Sequence, residues 1–240
     1  MLPWDVEELV FDETRFSGVA RLFPLPDLVM FPHVMQPLHI FEPRYRAMLN
    51  DALDGDGLIA MCLLAPGWEA DYEGRPPLLP QICLGKVVTH QRLEDGRYNI
   101  MLLGSKRARI IEETPGDELY RRAEVEIVDE VYPARGDADR AGVQAELTRR
   151  FQQALPLPKE LKNAGPVHDL LAADLPLAVL TDLVSFALPL DARLKAELLA
   201  EPNVDRRARL LLRALGAAPQ QPARSAATKP AGYPPRFSAN

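Results

Sequence analysis

Prolines divide the early part of the chain into short pieces, and their positions limit what this part can form. Pro24 and Pro26 lack the backbone N–H that a β-ladder needs, so the run around them is predicted to be an edge strand that leads into a turn. The sequence Phe31-Pro32-His33 marks a second turn, and residues 34–40 are predicted to be a strand. Pro43 is suited to the first turn of a helix, which the spacing of the following apolar residues extends for about three turns.

Apolar runs separated by Gly, Pro and Asp continue to residue 131 and predict further strands. These strands are expected at 58–64, 81–93, 97–103, 106–113 and 121–131. The first of these runs is apolar throughout, which is typical of a buried strand. Asp95-Gly96 is a strong turn signal, so the strands on either side of it are predicted to pair as a hairpin. A long loop at 65–80, rich in Pro and Gly, carries Trp68.

Beyond residue 137 the apolar residues recur at helical spacing and predict several helices. The candidate N-caps of the later helices are Asp174, Asp191 and Asn203. Gly216 is expected to end the last helix. A β-rich first half followed by a helical second half is typical of an α+β protein with segregated parts.

The predicted organisation has five parts. They are an N-terminal arm (1–19), a β-domain (20–131), a linker (132–137), a helical domain (138–216) and a tail (217–240). The tail has few large apolar residues and abundant Pro and Ala. It therefore cannot bury enough surface to offset the entropy of ordering, and it is predicted to be disordered.

The composition limits the classes of function. The net charge is −6 and the pI is about 5.3, which disfavours nucleic-acid binding by the chain as a whole. No apolar run approaches the roughly 20 residues needed to span a bilayer, and the acidic N-terminus does not resemble a signal peptide. A cytoplasmic protein is therefore expected. The His residues are scattered and Cys62 and Cys83 lie in apolar runs, so we expect no metal, no cofactor and two buried, unreactive thiols.

Several runs, taken in order, closely resemble the substrate-recognition N-terminal domain of Lon proteases. In the first half they are Phe23-Pro24-Leu25-Pro26, Met30-Phe31-Pro32, the stretch 37–45, Gly85-Lys86-Val87, the stretch 95–99 and Gly104-Ser105-Lys106-Arg107. In the second half they are the stretches 183–190 and 195–199. The resemblance extends over most of the chain. It implies a mixed β pseudobarrel, similar to the PUA fold, with one inserted helix, followed by an all-α helical bundle.

Lon proteases are ATP-dependent serine proteases in which the ATPase and protease modules follow this domain. The present sequence contains no Gly-x-x-x-x-Gly-Lys-Ser/Thr phosphate loop, and Gly85-Lys86 has Pro80 at the position where the first glycine is required. The resemblance therefore implies a stand-alone module without enzymatic activity. Such a module would bind exposed or unfolded polypeptide or act as an adaptor, with a separate ATPase or protease as a further partner.

Seven residues are candidates for the binding surface: Leu28, Val29, Met30, Phe31, Glu42, Arg44 and Trp68. The run from Leu28 to Phe31 is core if it is buried and a partner site if part of it is exposed. Trp68 has the same two interpretations, since exposed aromatic residues on loops often anchor a partner.

Glu42 and Arg44 flank the proline at the helix start and have two interpretations of their own. In the structural interpretation, Glu42 complements the positive end of the helix and Arg44 pairs with a carboxylate on a neighbouring strand. In the other, both contact an extended polypeptide. Binding would then occur on a hydrophobic patch or an open strand edge, with Pro24 and Pro26 limiting self-association of that edge.

Two other functions compete with polypeptide binding. A cryptic hydrolase would use Ser105, Ser185 or a cysteine, although Ser105 does not lie in a Gly-x-Ser-x-Gly elbow. An RNA-binding module, similar to PUA domains, would use basic residues on the later strands. These residues are Lys86, Arg92, Arg97, Lys106, Arg107, Arg109, Arg121 and Arg122. The acidity of the chain and the lack of aromatic residues between them disfavour nucleic acid as a partner.

Overall fold

Six β-strands and five α-helices form the part of the protein that the computed structural model describes, which is residues 11–71, 74–134, 139–154 and 175–216. The strands are β1 (Val19–Leu25), β2 (Met35–Ile40), β3 (Leu58–Leu64), β4 (Leu78–Arg92), β5 (Tyr98–Thr114) and β6 (Arg121–Ile127). The helices are α1 (Pro43–Asp54), α2 (Arg140–Ala154), α3 (Leu177–Ala187), α4 (Ala192–Ala200) and α5 (Val204–Gly216). A short 3-10 helix, Trp68–Asp71, lies between β3 and β4.

Five of the strands close into a ring in the order β1, β3, β4, β5 and β6, because β6 pairs with both β1 and β5. β1 runs parallel to β3, and the other pairs in the ring are antiparallel. β2 lies outside the ring and pairs antiparallel with the beginning of β5. The 17 residues of β5 let one strand pair with β2 at its start and with β6 at its end. This mixed barrel with its inserted and following helices confirms the predicted α+β fold.

The interior of the barrel is filled by small and aliphatic side chains that alternate along the ring strands. These side chains are Ala20, Leu22, Ala60, Cys62, Ile82, Leu84, Ala108 and Ala123. A barrel of few strands has a narrow interior, and alanine on four of the five strands leaves room for the larger side chains between them. The alternation of side chains along the ring strands therefore reflects two environments. One face of each strand lines the narrow barrel interior, and the other face lies against a broad core.

A second and larger core covers the outside of the barrel. It contains residues of α1, such as Met48 and Leu49, and residues of the later helices, such as Leu147 and Leu198. All four side chains are fully buried. The helical half and the barrel therefore share one continuous apolar cluster. The boundary predicted at 132–137 stays a prediction.

The prediction that the run around Pro24 is an edge strand is wrong for the first part of β1. From Val19 to Leu22 this strand pairs with β6, while from Leu22 to Leu25 it pairs with β3. Pro24 therefore lies beyond the end of the β6 pairing, where its missing N–H removes no bond from that ladder. Around Pro24 the strand is therefore paired on the β3 side only, and Pro26 lies just beyond the end of β1.

The prediction of two strands at 97–103 and 106–113 is also wrong, because β5 is continuous through Gly104 and Ser105. The pairing with β4 shifts by one residue at this point, which is a β-bulge. A Cβ atom at Gly104 would overlap the carbonyl oxygen of Phe31, so the glycine is required for close approach of the preceding loop. The glycine therefore marks a contact and not the end of a strand. β6 ends at Ile127, earlier than the predicted residue 131.

Two of the predicted helix caps are confirmed. The Asp191 carboxylate accepts a hydrogen bond from the Leu194 amide at 2.9 Å, and the Asn203 side chain accepts one from the Arg206 amide at 3.1 Å. The last helix ends at Gly216, as predicted. The predicted cap at Asp174, the first ten residues of the arm and the tail lie outside the described residues.

Candidate binding face

β2 forms the outer edge of the sheet, and the outer side of its backbone has few free hydrogen-bonding groups at the centre of the strand. The Gly104 amide donates to the Val34 carbonyl, so the backbone groups of Val34, and of alternate residues after it, point towards β5. Those of Met35, Pro37 and His39 point outward. Pro37 has no N–H, and its carbonyl accepts a hydrogen bond from the Gln36 side chain at 2.8 Å. The centre of this edge therefore offers neither a donor nor a free acceptor to an added strand.

The two faces of β2 have different surroundings. Leu38 and Ile40 face the large core, and Ile40 is fully buried. Met35, Pro37 and His39 alternate with them and point to the opposite, exposed face. The Met35 side chain is 46% exposed, which is high for a large apolar residue.

β5 extends this exposed face with more apolar side chains. Leu103 lies directly opposite Met35, and Met101 lies directly opposite Pro37, so each pair shares a face of the sheet. Leu103 and Met101 are half-buried. Neither the barrel interior nor the outer core includes these four side chains. We call Met35, Pro37, Met101 and Leu103 the open face.

A polar group closes one end of the open face. His39 lies opposite Asn99, and its Nδ1 donates to the Asn99 side-chain oxygen at 2.7 Å. The Arg97 guanidinium lies 3.3 Å from His39 Nε2. A guanidinium only donates, so His39 Nε2 has the acceptor role in this contact. The ring of Phe41, which is 37% exposed, stacks on the imidazole with a centroid separation of 5.9 Å.

Arg97 is itself held in place by Asp95 in the turn between β4 and β5. Its Nε donates to the Asp95 carboxylate at 2.5 Å, and this hydrogen bond lowers the pKa of Asp95 below its usual value. The polar end of the open face therefore has a balanced ion pair and an imidazole held by two side-chain contacts. Its chemistry suits a ligand with apolar side chains and little net charge.

The apolar run from Leu28 to Phe31 does not form part of this exposed surface. Val29, Met30 and Phe31 are buried, with exposures of 4%, 1% and 0%, and Leu28 packs half-buried against the same core. The loop is held on β5 because the His33 amide donates to the Gly104 carbonyl at 2.8 Å. Of the two interpretations, the structure therefore supports core for this run, and a role of these residues in binding stays a prediction.

Glu42 and Arg44 pair with each other across Pro43. Arg44 Nε lies 2.8 Å from the Glu42 carboxylate, and the guanidinium also lies over the Tyr45 ring at 4.7 Å. Arg44 thus has a carboxylate partner at the helix start itself, and its predicted pairing with a carboxylate on a neighbouring strand stays a prediction. Glu42 occupies the N-cap position without a side-chain capping bond. Contact of either residue with a polypeptide stays a prediction.

Trp68 begins the 3-10 helix Trp68–Asp71 and is half-buried. It lies in the loop between β3 and β4, whereas the open face is formed by β2 and β5. Its proposed role as an anchor for a partner stays a prediction.

The hydroxyl groups of both candidate serines donate to backbone carbonyls. The Ser185 hydroxyl donates to the Thr181 carbonyl at 2.6 Å, and the Ser105 hydroxyl donates to the Leu103 carbonyl at 3.3 Å. Cys62 and Cys83 are buried free thiols, as predicted. Burial raises the pKa of Cys62 to about 12 and raises that of Cys83 further still. Because the thiolate is the nucleophile, neither cysteine is suited to covalent catalysis at neutral pH.

Most of the basic side chains on the later strands are paired with carboxylates. The pairs are Arg97 with Asp95, Lys106 with Asp129, Arg107 with Asp182, Arg109 with Glu126, Arg121 with Glu113 and Arg122 with Glu118. Lys86 instead donates to the Asp56 carbonyl at 2.7 Å. This surface has little net positive charge, which argues against binding of a nucleic-acid backbone.

Within the described ranges, no group of three or more His, Cys, Asp and Glu side chains is arranged to hold a metal ion. None of the helices that the structure describes combines the length and the apolar character needed to cross a membrane.

Comparison with known families identifies the chain. Residues 19–216 match the model of the ATP-dependent protease La (LON) substrate-binding domain. The match covers well over half of the chain, and the protein therefore belongs to the LON substrate-binding domain family. The resemblance found in the sequence is confirmed.

The curated relatives are larger proteins. Lon protease 2 of Desulfotalea psychrophila is 31% identical over 200 residues, which are 83% of this chain and 25% of that protein. The Lon protease of Dictyoglomus thermophilum is 27% identical over 211 residues, which are 84% of this chain and 25% of that protein. The chain thus spans about a quarter of the length of these relatives.

Solved structures share the fold. The N-terminal domain of Mycobacterium avium complex Lon protease superimposes with a TM-score of 0.64 at 17% identity, covering 83% of this chain and 99% of that one. The Lon N-terminal domain protein from Xanthomonas campestris gives a TM-score of 0.55 at 22% identity, covering 81% and 97%. These similarities establish the architecture and leave the ligand to be argued from this chain.

The sequence contains part of the signal for the open face. Met35, Pro37 and His39 alternate with the core-facing residues of β2, and Met101 and Leu103 show the same period of two. What the sequence does not show is that the two runs are neighbours, since about sixty residues separate paired positions.

Proposed function

We propose that this protein is a non-catalytic, cytoplasmic module that binds exposed apolar segments of unfolded polypeptide on its open face. The observation that carries the proposal is a set of apolar side chains that belongs to neither core and lies on a paired, rigid part of the sheet. Membership of the substrate-binding domain family supports polypeptide as the ligand class.

Side-chain docking accounts for this site better than strand addition does. Strand addition needs a row of backbone donors and acceptors, and Pro37 interrupts that row at the centre of β2. Met35 and Met101 offer flexible, polarisable side chains that adapt to ligands of different shape. The open face therefore supports weak binding of many apolar segments rather than tight binding of one sequence.

The curated relatives suggest how such a module would be used. In the Lon proteases the matching region is a minor part of a longer chain. We propose that this module acts as an adaptor that delivers polypeptide to an ATPase or protease. The sequence of this chain shows no phosphate loop of its own.

Binding to fluorescently labelled unfolded casein, followed by anisotropy, tests the proposal. The double variant Met35→Ser and Met101→Ser is expected to bind about tenfold more weakly, because about 1.4 kcal/mol of apolar contact is lost. Ile111→Ser is the matched control, since Ile111 is 53% exposed on the same strand but lies away from the open face. Equal affinity of the double variant and the control would refute the site. No binding by the unaltered protein would refute the function.

The variant Pro37→Ala separates the two binding modes. It restores a backbone donor to the open edge of β2 and leaves an apolar side chain in place. Side-chain docking predicts casein affinity within about twofold of the unaltered protein. A much tighter complex would instead indicate strand addition at this edge.

A further inference from the structure

An ionic cluster lies where the later helices pack against the barrel. It consists of Arg107 on β5, Glu130 just after β6, Asp182 on α3 and Arg207 on α5. Arg107 donates to Asp182 through both terminal nitrogens, one at 3.1 Å and the other closer. Glu130 accepts from Arg107 at 2.9 Å and from Arg207 at 2.5 Å.

Three of these four side chains are excluded from water. The exposures of the Arg107, Asp182 and Arg207 side chains are 2%, 0% and 0%, and that of Glu130 is 28%. Charges in such a place are tolerated only when each has a partner, because an isolated buried charge loses its hydration without compensation. A movement that separates these side chains is therefore possible only if each buried charge keeps an oppositely charged partner afterwards.

Each member of the Arg107–Asp182 pair has a second partner. Arg107 keeps Glu130, and Asp182 lies 3.6 Å from Arg207 Nε. Separation of the later helices from the barrel would therefore break the Arg107–Asp182 pair and the 3.9 Å contact between His33 and Asp182, and each of the three buried charges would keep an oppositely charged neighbour. A cluster in which either side lacked its second partner would be much harder to open.

Glu130 lies at the point where the chain passes from the barrel to the helices. Before it, the Val128 amide donates to the Arg107 carbonyl at 3.0 Å. After it, Val131 forms a bridge with Asn203, which precedes α5. The carboxylate that both arginines share is thus on the pivot and stays near both sides during an opening movement.

We propose that the Arg107–Asp182 pair is a latch. Its release lets the later helices rotate away from the barrel about a hinge at residues 128–131. The surface uncovered in this way lies between β4 and α4, which are in contact in the closed form. Leu198 and Leu199 of α4 and Cys83 of β4 belong to that buried cluster. The inference does not depend on the open face or on its ligand.

The two cysteines of the protein report on the latch directly. Cys83 lies opposite Arg107 on the outer surface of the barrel, and its exposure is 0%. Cys62 lies in the barrel interior, which the movement leaves intact. Release of the latch therefore exposes Cys83 and not Cys62.

The experiment measures the rate of N-ethylmaleimide labelling at each cysteine of the full chain by peptide mass spectrometry. In the unaltered protein, Cys83 is expected to label at least about tenfold faster than Cys62, with a weaker dependence on urea, because local opening exposes less surface than unfolding. Equal rates and equal urea dependence at the two positions would overturn the proposal, since both would then report global unfolding.

Two variants sharpen the measurement. Asp182→Asn leaves Arg107 and Arg207 facing each other and is expected to raise labelling of Cys83 several-fold more than that of Cys62. The double variant Arg107→Met and Asp182→Leu replaces the pair with apolar contact and is expected to slow labelling of Cys83 below that of the unaltered protein. Unchanged Cys83 labelling in both variants, with far-UV circular dichroism unaltered, would contradict the latch. If Asp182→Asn does not fold, the unaltered protein and the double variant still decide the question.

Discussion

Gly104 fixes the position of the loop that precedes β2. Its Cβ, if present, would overlap the Phe31 carbonyl oxygen and lie 3.1 Å from the Pro32 Cα. Both contacts are with backbone atoms, which cannot rotate away as a side chain could. We therefore expect Gly104→Ala to lower the free energy of unfolding by about 2–3 kcal/mol, measured by urea denaturation. Gly18→Ala is the control, because nothing lies within 4 Å of the added Cβ and only its positive φ of 81° is strained. If both variants lose the same free energy of unfolding, backbone strain and not the Phe31 contact is the cause of the loss.

The same contact shows why the burial of single residues is hard to predict from the sequence. A run of four apolar residues in a loop is consistent with core or with a partner site, and its own sequence contains nothing that separates the two. Burial of Met30 and Phe31 depends on a glycine more than seventy residues further along the chain. Local signals do not carry that information.

At the scale of elements, helix starts differ in how their free N–H groups are bonded. Asp191 caps α4 through its carboxylate, whereas Glu42 at the start of α1 makes no side-chain capping bond. We expect Asp191→Ala to lower the free energy of unfolding by about 1 kcal/mol. Glu42→Ala is the matched control and is expected to cost less than about half as much, because it loses only a partly exposed ion pair. Chemical denaturation of both variants measures the difference, and equal losses would contradict the assignment of the cap.

The β5–β6 hairpin is joined by an ion pair that predicts a pH dependence. Hydrogen bonds from Arg121, and then from Arg75, hold the pKa of Glu113 below its usual value of 4.5, against the opposing effect of burial. A carboxylate whose pKa is lowered by folding stabilises the folded state above pH 4.5, and this contribution is lost as the pH falls through the lowered pKa. We therefore expect Glu113→Gln to be destabilising at pH 7 and less destabilising at about pH 3.

Urea denaturation of Glu113→Gln at the two pH values makes this comparison. Glu112→Gln, on the same strand and exposed, serves as the control. A difference between Glu113→Gln and the unaltered protein that is the same at both pH values would contradict the ionic origin of the effect.

Most elements could be predicted because their signals are local. Pro43 and the spacing of the apolar residues after it mark α1, and the apolar run at Leu58–Leu64 marks β3. β5 was divided wrongly because a glycine in a strand is also a common sign of a break. The open face required knowledge of which strands pair, and that pairing joins Met35 to Leu103 across the chain.

At the scale of the whole molecule, the distribution of charge argues against nucleic acid. The net charge is −6, and most basic side chains of the later strands lie against carboxylates. We expect no retention of a labelled single-stranded RNA homopolymer in a filter-binding assay at about 0.15 M salt. Retention that falls steeply as salt is added would instead support the RNA-binding alternative.

The closed ring of strands has a consequence for how the chain reaches its native state. β1 pairs with β6 in a register that joins Ala20 to Ala123, and it pairs in parallel with β3 only after β2 and α1 have been placed between them. Contacts that join distant parts of a chain form slowly, because a large loop must be closed before any of them stabilises the structure. During synthesis from the N-terminus, β1 would leave the ribosome long before its partner in β6 exists. A nascent chain released before Ile127 would thus present an unpaired apolar strand, which is a ligand of the kind that chaperones capture.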